Sequence, residues 1–129
     1  MVGIVIVSHS QKLAEGVAEV AQMMASKVHI EAAGGLEDGS LGTSYDKIKN
    51  AVESVYTDDG VIILVDMGSA IMTAEMVIED VARDNVKLID CPLVEGAVLA
   101  AVEAVGGRTL NEIIDRLPAN CNFYKFLFK

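Results

Sequence analysis

Two residues of this 129-residue chain pair a nucleophilic ring with a carboxylate at matching places in the hydropathy pattern. His9 follows the apolar run Val2-Gly-Ile-Val-Ile-Val7 and Ser8, and a helical segment begins just beyond it. Asp66 follows the run Val61-Ile-Ile-Leu-Val65 and precedes Met67-Gly68-Ser69. A strand-to-helix junction exposes its side chain at a sheet edge and brings the free N–H groups of the next helix close to it. A neutral imidazole so placed can accept a phosphoryl group, whose negative charge those N–H groups stabilise. A carboxylate accepting from Nδ1–H would fix the tautomer and leave Nε2 as the nucleophile. The same residue types also serve as a surface histidine on a first turn and as an ordinary helix cap, so the pair needs support from its surroundings.

Candidate phosphate donors supply some of that support. Gly34-Gly35 and Gly68-Ser69 can offer backbone N–H groups, with Gly35 and Gly68 as the expected donors, and Ser10, Thr43 and Ser69 can add hydroxyls. Short Gly/Ser segments are also common plain turns; convergence at one edge is what gives these weight. No Cys or His stands at metal-ligand spacing, and His29, inside a strand candidate, reads as structural or surface. Neither a metal nor another cofactor is expected. The acidic pair a receiver domain uses for Mg²⁺ is absent after the first strand candidate. A flavin-phosphate hydroxyl loop, a Walker A loop and a dinucleotide glycine fingerprint are absent too.

Composition narrows the class. Ten basic against nineteen acidic residues give a formal net charge of −9, which disfavours nucleic acid and favours encounter with a basic protein partner. Hydrophobic residues make up 52% of the chain, enough for a folded core. No apolar run reaches the roughly 18 residues that span a bilayer, and Val2 to Val7 is preceded by no basic n-region. Cys91 and Cys121 read as reduced thiols, so no membrane and a cytoplasmic location are expected.

The elements that would position these residues alternate. Strand candidates are Val2 to Val7, Val28 to Ala33, Val61 to Val65 and Val86 to Asp90. Leu13, Val17, Val20, Ala21 and Met24 share helical spacing in the first helix. Thr43-Ser-Tyr-Asp46 has the form of a capping box opening a second helix with Ile48, Val52 and Val55 inward. Ile71, Ala74, Ile78 and Val81 lie on one face of a third. A fourth runs from about Val94 to Val105 and ends at Gly106-Gly107; a short one near Thr109 to Arg116 precedes Pro118 and an aromatic tail, Phe123 to Phe128. Met23, Met24, Met67, Met72 and Met76 read as core or interface filler, with Met67 and Met72 near enough to Asp66 to serve a docking patch. Alternation implies a single α/β domain over 1–129: a three-layer, open, mostly parallel twisted sheet with helices on both faces. Sites in such sheets form beyond the strands' carboxyl ends, where strand order switches.

With these segments in order, the chain resembles the mannose-type enzyme IIA domains of the phosphoenolpyruvate-dependent phosphotransferase system. It is most similar to the phosphotransferase subunits of bacterial dihydroxyacetone kinases. The resemblance is carried by Val5-Ile-Val-Ser-His9-Ser10, Ala33-Gly34 with the loop to Gly42-Thr43, Asp66-Met-Gly-Ser-Ala70 with Ala74-Glu75, and Pro92-Leu-Val-Glu-Gly96. Sugar-transport members tend instead to have Thr-His-Gly and a Gly-Gly-Ser-Pro turn at the first and third of these places. The resemblance implies that His9 takes a phosphoryl group from phospho-HPr at Nε2 and passes it to ADP on the kinase's nucleotide-binding subunit. It also implies a homodimer, and separate HPr and enzyme I proteins, since some family chains continue into such domains. The alternatives are a sugar enzyme IIA passing phosphate to an enzyme IIB, and a non-catalytic regulatory docking module.

Overall fold

In the computed structural model, residues 1–117 are described. Pro118, Cys121 and the aromatic run 123–128 lie outside the described residues. Four strands, β1 (Gly3–Ser8), β2 (Ile30–Gly34), β3 (Val61–Val65) and β4 (Val86–Ile89), form one sheet in the order β2-β1-β3-β4. Every pairing is parallel, with Ile4 opposite Ile30 on one side and Ile62 on the other, and Val61 opposite Val86. Five helices connect or follow them: α1 (Gln11–Met24), α2 (Tyr45–Val55), α3 (Gly68–Val81), α4 (Leu93–Val105) and α5 (Leu110–Arg116). The expected α/β architecture is the observed one.

The two unbroken apolar runs became the two inner strands, and every residue of β1 and β3 is buried. That follows from covering both faces, which leaves no polar alternation to read. Ile4 and Ile6 of β1, with Ile62 and Leu64 of β3, pack against Ala14, Val17 and Ala21 of α1 and the alanines of α4. Val5 and Val7, with Val61, Ile63 and Val65, pack against Ile48, Val52 and Val55 of α2 and Ala70, Ala74 and Val77 of α3. Each fully buried Ile, Leu or Val contributes about 1.5–3 kcal/mol of transfer free energy, so the inner strands anchor the domain.

Three expectations need correction. In α1 the buried stripe is Ala14, Val17 and Ala21, while Leu13, Val20 and Met24 are exposed. Alanine suits the close approach of α1 to the sheet, and larger residues one position away fall outside it. The N-cap of α2 is Ser44 rather than Thr43: its hydroxyl accepts from Lys47 N–H at 3.2 Å. In α3, Ala74 and Val77 are fully buried, whereas Ile71, Ile78 and Val81 are only partly so. The remaining boundaries shift by a residue or two. The capping box of α5, Thr109 with Glu112, is complete.

β1 has β2 on one side and β3 on the other, so the chain's order reverses at β1. The carboxyl ends of β1 and β3 therefore flank the switch point. His9 and Asp66 follow those two ends.

Candidate active site

His9 and Asp66 meet at the crest of the sheet. Asp66 Oδ1 lies 3.0 Å from His9 Nδ1, and the two side chains are 12% and 21% exposed respectively. A carboxylate only accepts, so Nδ1 carries the proton and donates. Three further donors hold the carboxylate: Met67 N–H to Oδ1 at 2.7 Å, His9 N–H to Oδ2 at 3.0 Å and Ser8 Oγ–H to Oδ2 at 2.9 Å. Both oxygens are thus engaged, and the ring cannot turn without breaking a charge-assisted hydrogen bond.

The far side of the ring faces α3. His9 Nε2 is hydrogen-bonded to Ser69 Oγ. With Nδ1 protonated, Nε2 has the lone pair and the Ser69 hydroxyl donates to it. Met67 caps α3 in an extended conformation without a side-chain cap, and Gly68 and Ser69 are the helix's first two residues. The first N–H groups of an α-helix have no intrahelical acceptor. Beside Nε2, those of Gly68 and Ser69 form the positive end of a fourteen-residue helix. An anion bonded to Nε2 would meet this helix end.

The other expected phosphate donors divide. Ser10 caps α1 and its hydroxyl accepts from Leu13 N–H at 3.2 Å, which leaves the hydroxyl proton able to donate elsewhere. Thr43 and Thr73 bond through their hydroxyls at 3.1 Å, joining the β2–α2 loop to α3 one turn beyond Ser69. Gly35 N–H donates to Ser8 C=O at 3.1 Å, so it is spent inside the fold. Gly34 and Gly35 instead permit close packing. A Cβ at Gly34 would lie 2.5 Å from Ser10 C=O, and Gly35 has φ +69° beside Gln11. The same loop braces the histidine's backbone, Gly42 N–H donating to His9 C=O at 2.8 Å.

Sequence reasoning singled out Ser10 and passed over Ser8, the residue that touches Asp66. A serine directly closing an otherwise apolar run was the signal available in the sequence. His29 is exposed, and among the described residues no group of three or more His, Cys, Asp or Glu side chains is arranged to hold a metal ion. No helix among them is long and apolar enough to cross a membrane.

Comparison with known proteins gives the chain its family. Residues 3–114 match the family model described as the PTS system fructose IIA component. The phosphoryl donor subunit DhaM of PEP-dependent dihydroxyacetone kinase 2 from Listeria innocua is 38% identical over 121 residues, covering 91% of this chain and 97% of that protein. The DhaM subunit of Escherichia coli K12 is 40% identical over 121 residues, 88% of this chain, but the match spans only 26% of that longer protein. The crystal structure of a phosphotransferase system component EIIA from Streptococcus agalactiae superposes with a TM-score of 0.65 at 15% identity, over 89% of this chain and 88% of that one, which shows a shared fold. The chain belongs to the mannose-type enzyme IIA family of the phosphotransferase system and, within it, to the DhaM phosphoryl donor subunits.

Proposed function

We propose that this protein is a phosphohistidine carrier of a dihydroxyacetone kinase, with His9 as the transient acceptor. The single observation that carries the reading is the Nδ1–Asp66 hydrogen bond, which leaves Nε2 unprotonated and directed at the start of α3. In the forward step Nε2 attacks the phosphorus of phospho-HPr; the N–P bond of the donor breaks as the new Nε2–P bond forms. Ser69 must release Nε2 for this, and its hydroxyl then turns to a phosphoryl oxygen. The N–H groups of Gly68 and Ser69 take the other negative charge, with hydroxyl help from Ser10; the Thr43 hydroxyl donates to Thr73, whose own proton goes to Ser69 C=O. Asp66 stabilises the ring while it carries positive charge. In the return step a β-phosphate oxygen of ADP, held on the kinase's nucleotide-binding subunit, attacks phosphorus. The Nε2–P bond breaks, ATP forms, and dihydroxyacetone is phosphorylated on another subunit at the expense of phosphoenolpyruvate.

Gly35 has no donor role in this scheme, because its N–H is already engaged. The relevant setting is the cytoplasm, where phospho-HPr is made, and the carrier acts as a homodimer in keeping with its kinship. No cofactor takes part on this subunit.

Discharge by the second partner tests the reading. Phosphorylated protein, freed of HPr and enzyme I, is mixed with the ADP-loaded kinase subunit, and ATP and residual phosphoprotein are measured. Stoichiometric ATP formation is expected. A phosphoprotein that is stable to that subunit but discharged by a sugar enzyme IIB would contradict it. Failure to acquire phosphate at all would leave only a docking role.

A further inference from the structure

Ser8 and Ser44 are the buried polar side chains among the described residues, and Ser8 is 0% exposed. Ser44 has the ordinary task of capping α2. Ser8 ends an otherwise apolar strand, where a valine would extend the core and no hydroxyl is needed for packing. A buried hydroxyl is disfavoured unless fully hydrogen-bonded. Here it is: Oγ donates to Asp66 Oδ2 at 2.9 Å and accepts from Ser10 N–H at 3.0 Å. An amide can only donate, so the one hydroxyl proton is committed to the carboxylate. This one atom therefore ties the end of β1 to the end of β3 and to the start of α1.

The consequence for His9 follows from the carboxylate's plane. Oδ2 has two donors, the Ser8 hydroxyl and His9 N–H, and Oδ1 has Met67 N–H and the imidazole. Two of the four are backbone groups fixed by the strand ends. Among the described residues, Ser8 is the only side chain besides His9 itself that hydrogen-bonds Asp66. We propose that Ser8 is a positioning residue: its hydroxyl pins Oδ2 of Asp66, so that Oδ1 keeps the proton on Nδ1 and Nε2 keeps the lone pair. The kinetic consequence rests on the phosphohistidine reading; the effect on the ring does not.

The test is made on the ring itself, in unphosphorylated, ¹⁵N-labelled protein, by long-range ¹H–¹⁵N correlation of the His9 imidazole. Three variants separate hydroxyl from shape: Ser8→Ala removes it, Ser8→Cys keeps the volume with a weak donor, and Ser8→Thr keeps the hydroxyl. The wild type is expected to show the Nδ1–H tautomer, and so is Ser8→Thr. Ser8→Ala and Ser8→Cys should show a mixture with a raised Nε2–H share, and phosphoryl uptake from phospho-HPr should slow by about tenfold, the scale of one lost hydrogen bond to a charged group. A native tautomer in both Ser8→Ala and Ser8→Cys would overturn the proposal. So would a shift in all three variants, since shape rather than the hydroxyl would then be responsible. If the wild type takes no phosphate, the functional reading fails while the ring spectra still decide the role of Ser8.

Discussion

The two ends of the sheet solve different problems. At the amino-terminal end, a cleft of about 750 Å³ is bounded by Asp58, Asp59, Asp84, Lys87 and Arg108 together with Leu110. Its size is that of a small-molecule site, yet two of its charged groups, Asp59 and Arg108, are engaged in ion pairs. The N-terminal amine pairs with Asp59, and Arg108 pairs with Glu103 at 3.4 Å and Glu112 at 3.8 Å. At the carboxyl end, a cavity of about 520 Å³ is lined by Ser10, Gln11, Lys12, Glu15, Gly39 and Leu41, and His9 is not among its lining residues. His9 sits, partly exposed, where a nucleophile, an orienting carboxylate and an open helix end converge. The 750 Å³ cleft and the chemistry of His9 therefore lie at opposite ends of the sheet. A carrier of the kind proposed, meeting two protein partners in turn, would be served by an accessible crest rather than an enclosed pocket.

Substitutions can break or sharpen that contrast, and the largest effect belongs to the crest. His9→Gln should abolish phosphoryl uptake from phospho-HPr while the circular dichroism melt stays close to wild type, because the ring is partly exposed and outside both cores. Asp66→Ala should slow uptake by roughly 10²-fold in rapid-quench kinetics, the usual scale for an orienting or acid–base group; an unchanged rate would reduce Asp66 to a loop anchor. Gly34→Ala brings a Cβ within 2.6 Å of Ala14 Cβ as well as against Ser10 C=O. Neither neighbour is a flexible side-chain end, so a loss of about 1–3 kcal/mol is expected in urea denaturation.

At the opposite end the effects shrink. Arg108→Ala should leave phosphoryl uptake untouched and alter stability by at most about 1 kcal/mol, as exposed ion pairs do. Slowed transfer in that variant would show that the cleft takes part after all. The smallest effect belongs to Tyr45, at the start of α2. Its phenol is pushed up to about 12 because it donates to Asp80, with Asp80's charge adding to the effect. A raised value in the folded state means that the contact's contribution is complete below a tyrosine's ordinary value and fades as pH rises through about 12. Ultraviolet titration should show one late-ionising tyrosine that moves to lower pH in Asp80→Ala.

Much of this arrangement is legible in residue order alone, for physical reasons. Unbroken runs such as Val61 to Val65 fit inner strands of a sheet covered on both faces, and polar residues directly after them fall at the crest. That logic reaches His9 and Asp66. It falters where small residues decide packing. In α1, Ala14 and Ala21 lie inward while the larger Leu13 and Val20 do not, because helix-to-sheet distance is a tertiary property. It falters again where a hydrogen bond has two plausible owners. Thr43 and Ser44 both suit a cap, and only the loop's path selects Ser44, freeing Thr43 to bond Thr73. Gly35 was expected to serve phosphate through an N–H that the parallel ladder's continuation uses for Ser8 C=O. Ser8 stands in the polar cluster that the sequence shows after the first strand, but its role was not legible, because strand alternation says nothing of a side chain at the last position that reaches across to the neighbouring strand's end.

The most direct measurement is intact mass after incubation with phosphoenolpyruvate, enzyme I and HPr, for wild type and His9→Gln. One added phosphoryl group that is lost on brief acid treatment and never gained by His9→Gln is the predicted result. Phosphate gained by His9→Gln, or none gained by wild-type protein in the presence of competent HPr, would contradict His9 as the acceptor.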